Sequence, residues 1–263
     1  MNKKEIKIMF VDFDWTIFDH TVHDFDYASI EALKTAQKAG IEVILSTARS
    51  YHSLKALKFF KLFTPDGMIT ANGTALFYKD KLIKSEPIAD EVIKAVSKEA
   101  MKHHCNLELT GPRSRYVVSK RRNYLEKIYA VFYDEKPKTK AYDGKPIVSM
   151  LFMGPEKYDE DIKKLLPEGM YFNRFFDLGA DISFTEGNKG LAVDFFLNYL
   201  GLKKNNAMSF GDSWLDVSMF ESTKYSVCMG NAKDEIKEKA LMVTSSVSDS
   251  GVAKVVNEVL KNR

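Results

Sequence analysis

Short apolar runs that alternate with helix-length amphipathic segments constrain the fold of this chain more than any other feature. The runs over 6–11 and 42–46 are mostly apolar, and a third run begins at Met68. Strands that are buried on both faces of a parallel sheet have this composition. The segments between them, 26–39 and about 51–62, have helical spacing, which is typical of helices that connect parallel strands.

The same alternation returns near the C-terminal end. The pattern predicts a helix over 190–200, strands over 207–210 and 225–229, and a last helix from about Val252 with one apolar face. The sequence therefore predicts an α/β fold. Its core is a Rossmann-like parallel sheet with helices on both faces, built from both ends of the chain.

The middle of the chain has a different rhythm. Strand-like runs occur in adjacent pairs, at 106–110 and 115–120 and again at 170–176 and 181–185, with single helices and an apolar strand over 147–153 between them. Paired strands interleaved with single helices indicate a mixed or antiparallel α+β unit.

Two domains suit a chain of 263 residues, because domains average about 150 residues. We expect residues 1–83 and 186–263 to form the sheet domain and residues 84–185 to form an inserted cap domain.

Composition and charge narrow the class of protein. A net charge of +3 does not support a nucleic-acid partner, because such proteins concentrate basic residues on one face. The apolar run near the N-terminus is shorter than the roughly 20 residues of a membrane span. Cys105 and Cys228 have no metal-binding or redox spacing, so we expect both to be reduced. We therefore expect a cytoplasmic protein that binds neither membrane nor nucleic acid.

The polar residues that follow the predicted core strands carry the chemistry. Asp12 and Asp14 follow the first strand, Thr47 follows the second, Lys189 begins a helix, and Asp212 follows a later strand. Ligands of an open parallel sheet bind outside the carboxyl ends of its strands. We therefore expect these side chains to meet at one edge of the sheet.

Together these residues suit phosphoryl transfer. The carboxylates of Asp12 and Asp212 offer the hard oxygen ligands that Mg²⁺ prefers. The Lys189 ammonium would offset the repulsion between carboxylates and a phosphate group. An aspartate can act as the nucleophile, and a second acid, Asp14, can protonate the leaving group and then activate water.

Four segments, DFDWTIFD, STAR, GNKG and GDSWLD, resemble in order and spacing the four motifs of the haloacid dehalogenase-like (HAD) phosphatases. The segments ITANG, MGNA and VTSSVSDSGV are similar to segments of the Cof-type subfamily, and the insertion resembles its α/β cap. The resemblance extends over the whole chain. It implies a phosphatase of phosphoric monoesters whose substrate is a small phosphorylated metabolite. Among such substrates the resemblance favours sugar phosphates over nucleotides, flavin mononucleotide or pyridoxal phosphate.

The resemblance also implies roles for the acidic residues. Asp12 is expected to be the nucleophile and a Mg²⁺ ligand. Asp14 is expected to be the general acid/base and to bind the metal through its backbone carbonyl. Asp212 is expected to be a metal ligand, and Asp216 to orient the metal site from behind the ligands.

Phosphate is expected to bind to Thr47, to the neighbouring backbone N–H of Ala48 and to Lys189. Three positions depart from the family pattern. Trp15 replaces a common Gly, and we expect its indole to narrow the substrate entrance. Leu215 replaces a frequent Asn that contacts phosphate or orders the site, and we expect its loss to weaken phosphate binding. Ala48 itself replaces a common Gly.

Three other functions compete with this one, and the last of them lacks a key residue. A phosphomutase would use the same Asp12 chemistry and would differ only in its product. A HAD fold that binds a ligand with little turnover would also fit the departures at Trp15 and Leu215. A receiver-like signalling module would carry its phosphoacceptor after the third strand, where this chain has Ala71, Asn72 and Gly73.

Some features admit two interpretations. Thr47 could cap the helix that follows it, as well as bind phosphate. The basic run from Arg113 to Arg122 is either a solvated face or a surface that contacts an anionic substrate. The sequence is compatible with a monomer or with a small homo-oligomer.

Overall fold

The computed structural model describes residues 5–119, 124–132, 136–184 and 189–261, with the side chains of 130–132 left out. Contacts between residues divide the chain into two units. The first consists of Met1–Ala48, Phe60–Ile83 and Asn188–Arg263, and the second of Arg49–Phe59 and Lys84–Gly187. Residues 49–59, which the sequence assigned to the sheet domain, thus group with the second unit.

The strands and helices follow one another in a mixed order along the chain. The strands are β1 (Ile8–Val11), β2 (Phe18–Asp19), β3 (Asp24–Phe25), β4 (Glu42–Ser46), β5 (Gly67–Thr70), β6 (Ala75–Tyr78), β7 (Lys81–Ser85), β8 (Asn106–Thr110), β9 (Arg115–Val118), β10 (Ser149–Met153), β11 (Met170–Phe176), β12 (Gly179–Phe184), β13 (Ala207–Gly211), β14 (Tyr225–Cys228) and β15 (Met242–Val243). The helices are α1 (Tyr27–Lys38), α2 (Tyr51–Ala56), α3 (Phe59–Leu62), α4 (Asp90–Lys102), α5 (Leu125–Phe132), α6 (Asp159–Lys163), α7 (Lys189–Tyr199), α8 (Trp214–Glu221), α9 (Asp234–Lys237) and α10 (Gly251–Lys261).

The larger sheet has the strand order β15-β14-β13-β1-β4-β5-β6-β7. Strand β1 lies parallel between β13 and β4, and β5, β14 and β15 continue the parallel arrangement outward. Strand β6 is antiparallel to β5. Every residue of β1 is buried, as expected for a strand covered on both faces. The predicted α/β fold with a parallel-rich sheet is confirmed.

Helix α1 shows how the local sequence sets the element bounds. The Asp26 carboxylate accepts a hydrogen bond from the Ser29 N–H and so caps the first turn. Ile30 and Leu33 are buried on one face. The helix ends before Gly40, which adopts a positive φ of 78° that disfavours side chains.

The smaller sheet belongs to the second unit and is antiparallel throughout, in the order β11-β12-β10-β8-β9. The side chains of its strands alternate between the two faces of the sheet. Leu107 and Leu109 are fully buried in a core that also contains Val96 and Ile93 of α4. Side chains of the opposite parity, such as Glu108, lie on the other face. This is the α+β arrangement that the paired strands predicted.

Several details differ from the expectation. The helix expected near 51–62 is two helices, α2 and α3, separated at Lys58, whose φ is 60°. Ser50 caps α2 by accepting from the Ser53 N–H, so Thr47 does not have the capping role. The hairpin β2–β3 was not predicted, because strands of two residues carry no periodicity.

Both cysteines are free and buried. No helix in the described ranges is long and apolar enough to cross a membrane.

Candidate active site

Parallel pairing of β1 with its two neighbours brings three chain segments to one sheet edge. Val11 lies opposite Phe210 on one side and Leu45 on the other. The next residues, Asp12 and Gly211, therefore sit side by side, and Ser46 and Thr47 follow on the adjacent strand. This is the convergence that the strand-end rule predicts.

Lys189 joins two of the carboxylates from the first turn of α7. Its Nζ lies 2.5 Å from Asp12 Oδ1 and 2.6 Å from Asp216 Oδ1, and its side chain is only 3% exposed. Burial by itself would lower the pKa of Lys189, but Asp12 and Asp216 raise it above the ordinary value. The lysine is therefore a buried cation that holds two carboxylates together.

Asp12 is buried and accepts a second hydrogen bond, on Oδ2, from the Thr16 hydroxyl at 3.2 Å. Burial and the neighbouring Asp216 raise its pKa well above the ordinary value, against the lowering effect of Lys189. One ammonium thus does not fully compensate the negative charge of the site.

Asp216 is completely buried, and its oxygens are already engaged. Oδ1 faces Lys189, while Oδ2 accepts from the backbone N–H groups of Asp212 and Ser213 at 3.0 Å each and from the Ser213 hydroxyl at 2.9 Å. A Cβ on Gly211 would lie 2.5 Å from Asp216 Cγ, so only glycine fits at the end of β13. These contacts fix the loop that carries Asp212.

Asp212 differs from Asp12 and Asp216 because it is partly exposed, whereas both of them are buried. Burial, and then the charge of Asp216, raise its pKa to about 7. Carboxylate oxygens of Asp12, Asp212 and Asp216 lie within 4.8 Å of one another. A cluster of hard oxygen donors with excess negative charge is suited to a divalent cation.

Thr47 and Ala48 follow β4 at the same edge. Thr47 is fully buried, its N–H donates to Ile69 O at 2.8 Å, and its carbonyl accepts from the Asn72 N–H at 3.2 Å. The Thr47 N–H is therefore already used, whereas Ala48 is exposed. Of the two amides, the N–H of Ala48 is the one that a phosphate group could approach.

Asp14 is partly exposed and pairs with a residue that the sequence did not single out. His20 Nε2 lies 2.6 Å from Asp14 Oδ1. His20 reaches Asp14 because the chain turns tightly between them: the Phe18 N–H donates to Phe13 O at 2.9 Å and the Trp15 N–H donates to Phe18 O at 2.8 Å. Thr16 was missed as well, although its place four residues after Asp12 is a signal for a supporting hydroxyl.

Three further predictions from the sequence concern Trp15, Leu215 and the basic run from Arg113 to Arg122. Trp15 is 38% exposed, and Leu215 on α8 is 53% exposed. In the second unit, the Arg113 guanidinium lies 4.7 Å from the centre of the Tyr51 ring. The Arg115 guanidinium lies over the Tyr129 ring. Positions 120–122 of the basic run lie outside the described residues.

Comparison with known proteins agrees with this geometry. A family model described as haloacid dehalogenase-like hydrolase matches residues 9–256. The chain belongs to the haloacid dehalogenase-like hydrolases. The match spans both units, so the predicted family is confirmed over nearly the whole length of this hydrolase.

Relatives of this hydrolase cover almost all of it. A phosphoglycolate phosphatase 1 from Saccharolobus solfataricus is 26% identical over 97% of this chain and 96% of its own. A 5-amino-6-(5-phospho-D-ribitylamino)uracil phosphatase, YcsE from Bacillus subtilis, is 24% identical over 96% of this chain and 95% of its own.

A solved structure, that of the HAD subclass IIB sugar phosphatase BT4131, superposes with a TM-score of 0.75 at 25% identity and covers 96% of this chain and 98% of its own. Family membership and these names confirm the predicted enzyme class, a phosphatase of phosphoric monoesters.

Proposed function

We propose that this hydrolase removes phosphate from small phosphomonoesters, sugar phosphates foremost, through a phosphorylated Asp12 and with Mg²⁺ as cofactor. One observation carries the proposal: oxygens of Asp12, Asp212 and Asp216 lie within 4.8 Å of one another, and Lys189 bridges two of the three carboxylates. The site therefore combines a supported nucleophile with an excess of negative charge beside it.

The donor set fits Mg²⁺. Carboxylate oxygens of Asp12 and Asp212 and the backbone carbonyl of Asp14 would hold the ion, since Mg²⁺ takes few protein ligands and keeps several waters. Asp216 orients this set, because both of its oxygens already accept hydrogen bonds. When bound, the ion would offset the charge of the carboxylates and of the substrate phosphate.

In the first step, a carboxylate oxygen of Asp12 attacks phosphorus and the bond from phosphorus to the substrate oxygen breaks. Asp14 gives its proton to that oxygen, so the leaving group departs as a neutral alcohol. The phosphoryl group is then an acyl phosphate on Asp12. Lys189 keeps the nucleophile in place through its 2.5 Å contact with Oδ1.

In the second step, water attacks phosphorus and the bond from phosphorus to the Asp12 oxygen breaks. Asp14, now ionised, accepts a proton from that water. Inorganic phosphate leaves and Asp12 is restored as a carboxylate. The Thr47 side chain, the Ala48 N–H and the Lys189 ammonium stabilise charge on the phosphoryl oxygens in both steps.

The choice of substrate rests on relatives. One is named a phosphoglycolate phosphatase and a solved neighbour a sugar phosphatase, so small phosphorylated metabolites are the class to test first. We also propose that 84–185 form the cap domain and that 1–83 with 186–263 form the core.

Asp12→Asn tests the mechanism. With p-nitrophenyl phosphate and Mg²⁺, the variant should lose phosphate release, and EDTA should remove activity from the unchanged protein until Mg²⁺ is restored. Asp24→Asn is the matched control, because Asp24 is exposed in the same segment. Activity that survives Asp12→Asn or EDTA contradicts the proposal, and transfer of phosphate without release would indicate a mutase.

A further inference from the structure

His20 lies next to the carboxyl group that exchanges protons in the proposed reaction. Its Nε2 is 2.6 Å from Asp14 Oδ1, and the two side chains are only 26% and 30% exposed. An ionised carboxylate can only accept a hydrogen bond, so the ring donates from Nε2. A bond of this length, with a charged acceptor and restricted access for water, is of the strong, orienting kind.

The imidazole is itself held between aromatic rings. The centre of the Trp15 ring lies 5.1 Å from that of His20 with an interplanar angle of 37°, and the Phe18 ring lies edge-on at 5.0 Å. Contacts on two sides leave the imidazole little freedom to rotate away from Asp14.

Trp15 is in turn fixed by its backbone. Its φ is 60°, a conformation that disfavours any residue with a Cβ. Its N–H donates to Phe18 O at 2.8 Å, and its carbonyl accepts from Asn231 Nδ2 at 3.0 Å. A tryptophan held in a disfavoured conformation needs a compensating contact, and the ring contact with His20 supplies one.

From this chain of contacts we infer that His20 is a positioning residue for proton transfer by Asp14, supported by Trp15. The inference rests on the proposed function. With Oδ1 held by the His20 N–H, rotation about the Cβ–Cγ bond of Asp14 is fixed, and Oδ2 is the oxygen that exchanges protons.

His20 neither gains nor loses a proton in either step of the proposed reaction. In the first step the proton on Asp14 Oδ2 passes to the leaving oxygen as its bond to phosphorus breaks. In the second step a proton of the attacking water passes to Oδ2. The Nε2–H of His20 stays on the ring throughout and donates to Oδ1 in both protonation states of Asp14.

The test uses leaving groups that differ in their need for a proton. A p-nitrophenolate leaves without protonation, whereas the phenolate of phenyl phosphate benefits from a general acid. The ratio kcat/KM reports the step in which the leaving group departs, so it isolates this need from the later hydrolysis of the phosphoenzyme.

His20→Phe keeps an aromatic ring beside Trp15 and removes the donor. It should lower kcat/KM for phenyl phosphate about tenfold, a fraction of the 10²–10⁴ that general acid–base catalysis contributes. For p-nitrophenyl phosphate the loss should stay below about twofold, because that leaving group needs no proton. His20→Gln, which restores an N–H donor, should recover most of the lost activity, and His23→Phe nearby should change neither value.

Equal losses on both compounds, no loss on either, or a His20→Gln variant as impaired as His20→Phe would overturn the positioning role. His20→Ala is a second donor-free variant if the phenylalanine variant does not fold, and the same comparison applies to it. Asp12→Asn, run in parallel, separates the two failures: if it keeps its activity, the proposed function itself is wrong, whatever the His20 variants do.

Discussion

Replacing Lys189 by methionine tests how the carboxylates of the site are held together. The Lys189 side chain is 3% exposed, and its Nζ lies 2.5 Å from Asp12 Oδ1 and 2.6 Å from Asp216 Oδ1. Methionine has a similar length and no charge, so the variant leaves two buried carboxylates without their cation. Loss of one partner from a buried ion pair costs about 3–5 kcal/mol.

Lys34→Met is the matched control. Lys34 Nζ lies 2.6 Å from Glu31 Oε1 on α1, but the two side chains are 36% and 69% exposed. The two lysines thus make ion pairs of nearly equal length and very different burial. An exposed pair contributes about 0–1 kcal/mol, so we expect Lys34→Met to change the free energy of unfolding by less than about 1 kcal/mol.

Urea unfolding in EDTA at pH 7 measures the difference. With an m value of about 2–3 kcal/mol/M, a loss of about 3–5 kcal/mol lowers the midpoint by about 1–2.5 M. The loss should shrink as the pH falls. Without Lys189 the already raised pKa of Asp12 rises further, so the folded state takes up a proton that the unfolded chain does not hold, and stability falls as the pH rises. A midpoint shift no larger than that of Lys34→Met, or a loss that grows toward low pH, would refute the reasoning.

Three further variants test the supports of the site. Gly211→Ala should lower both stability and kcat, because its Cβ would lie 2.5 Å from Asp216 Cγ; overpacking of this kind costs about 1–3 kcal/mol, measured by urea unfolding. Thr16→Val should lower kcat/KM about 10- to 150-fold without loss of fold, since the hydroxyl bond to Asp12 is worth about 1.5–3 kcal/mol, and an unchanged rate would contradict this role. Asp26→Ala should cost about 1 kcal/mol of stability through the lost cap of α1 while kcat stays the same.

The sequence predicted the parallel sheet because its strands are buried on both faces. Strand β4 has the predicted bounds, Glu42–Ser46, since an apolar run ends where a polar residue meets the sheet edge. The hairpin of β6 and β7 escaped prediction, because β7 is an edge strand that mixes Lys with apolar residues. The break at Lys58 depends on a positive φ that no residue type signals there.

The candidate site, like the fold, could be predicted from the sequence only in part. Asp12, Thr47 and Asp212 could be placed together from the sequence alone, because parallel pairing forces the strand ends to one edge. The link from Asp14 to His20 could not be predicted, because it depends on a tight turn over residues 13–18 that periodicity does not reveal. Pairing of Lys189 with two carboxylates likewise depends on side-chain distances that spacing does not give.

Chemical trapping of the phosphoenzyme tests the central claim most directly. Borohydride reduces an acyl phosphate to an alcohol, so quenching the enzyme during turnover of p-nitrophenyl phosphate with Mg²⁺ should convert Asp12 to homoserine, as detected by peptide mass spectrometry. The same treatment without substrate should leave Asp12 unchanged. Reduction at Asp212 or Asp216 instead, or turnover with no reduced aspartate at all, would contradict the account.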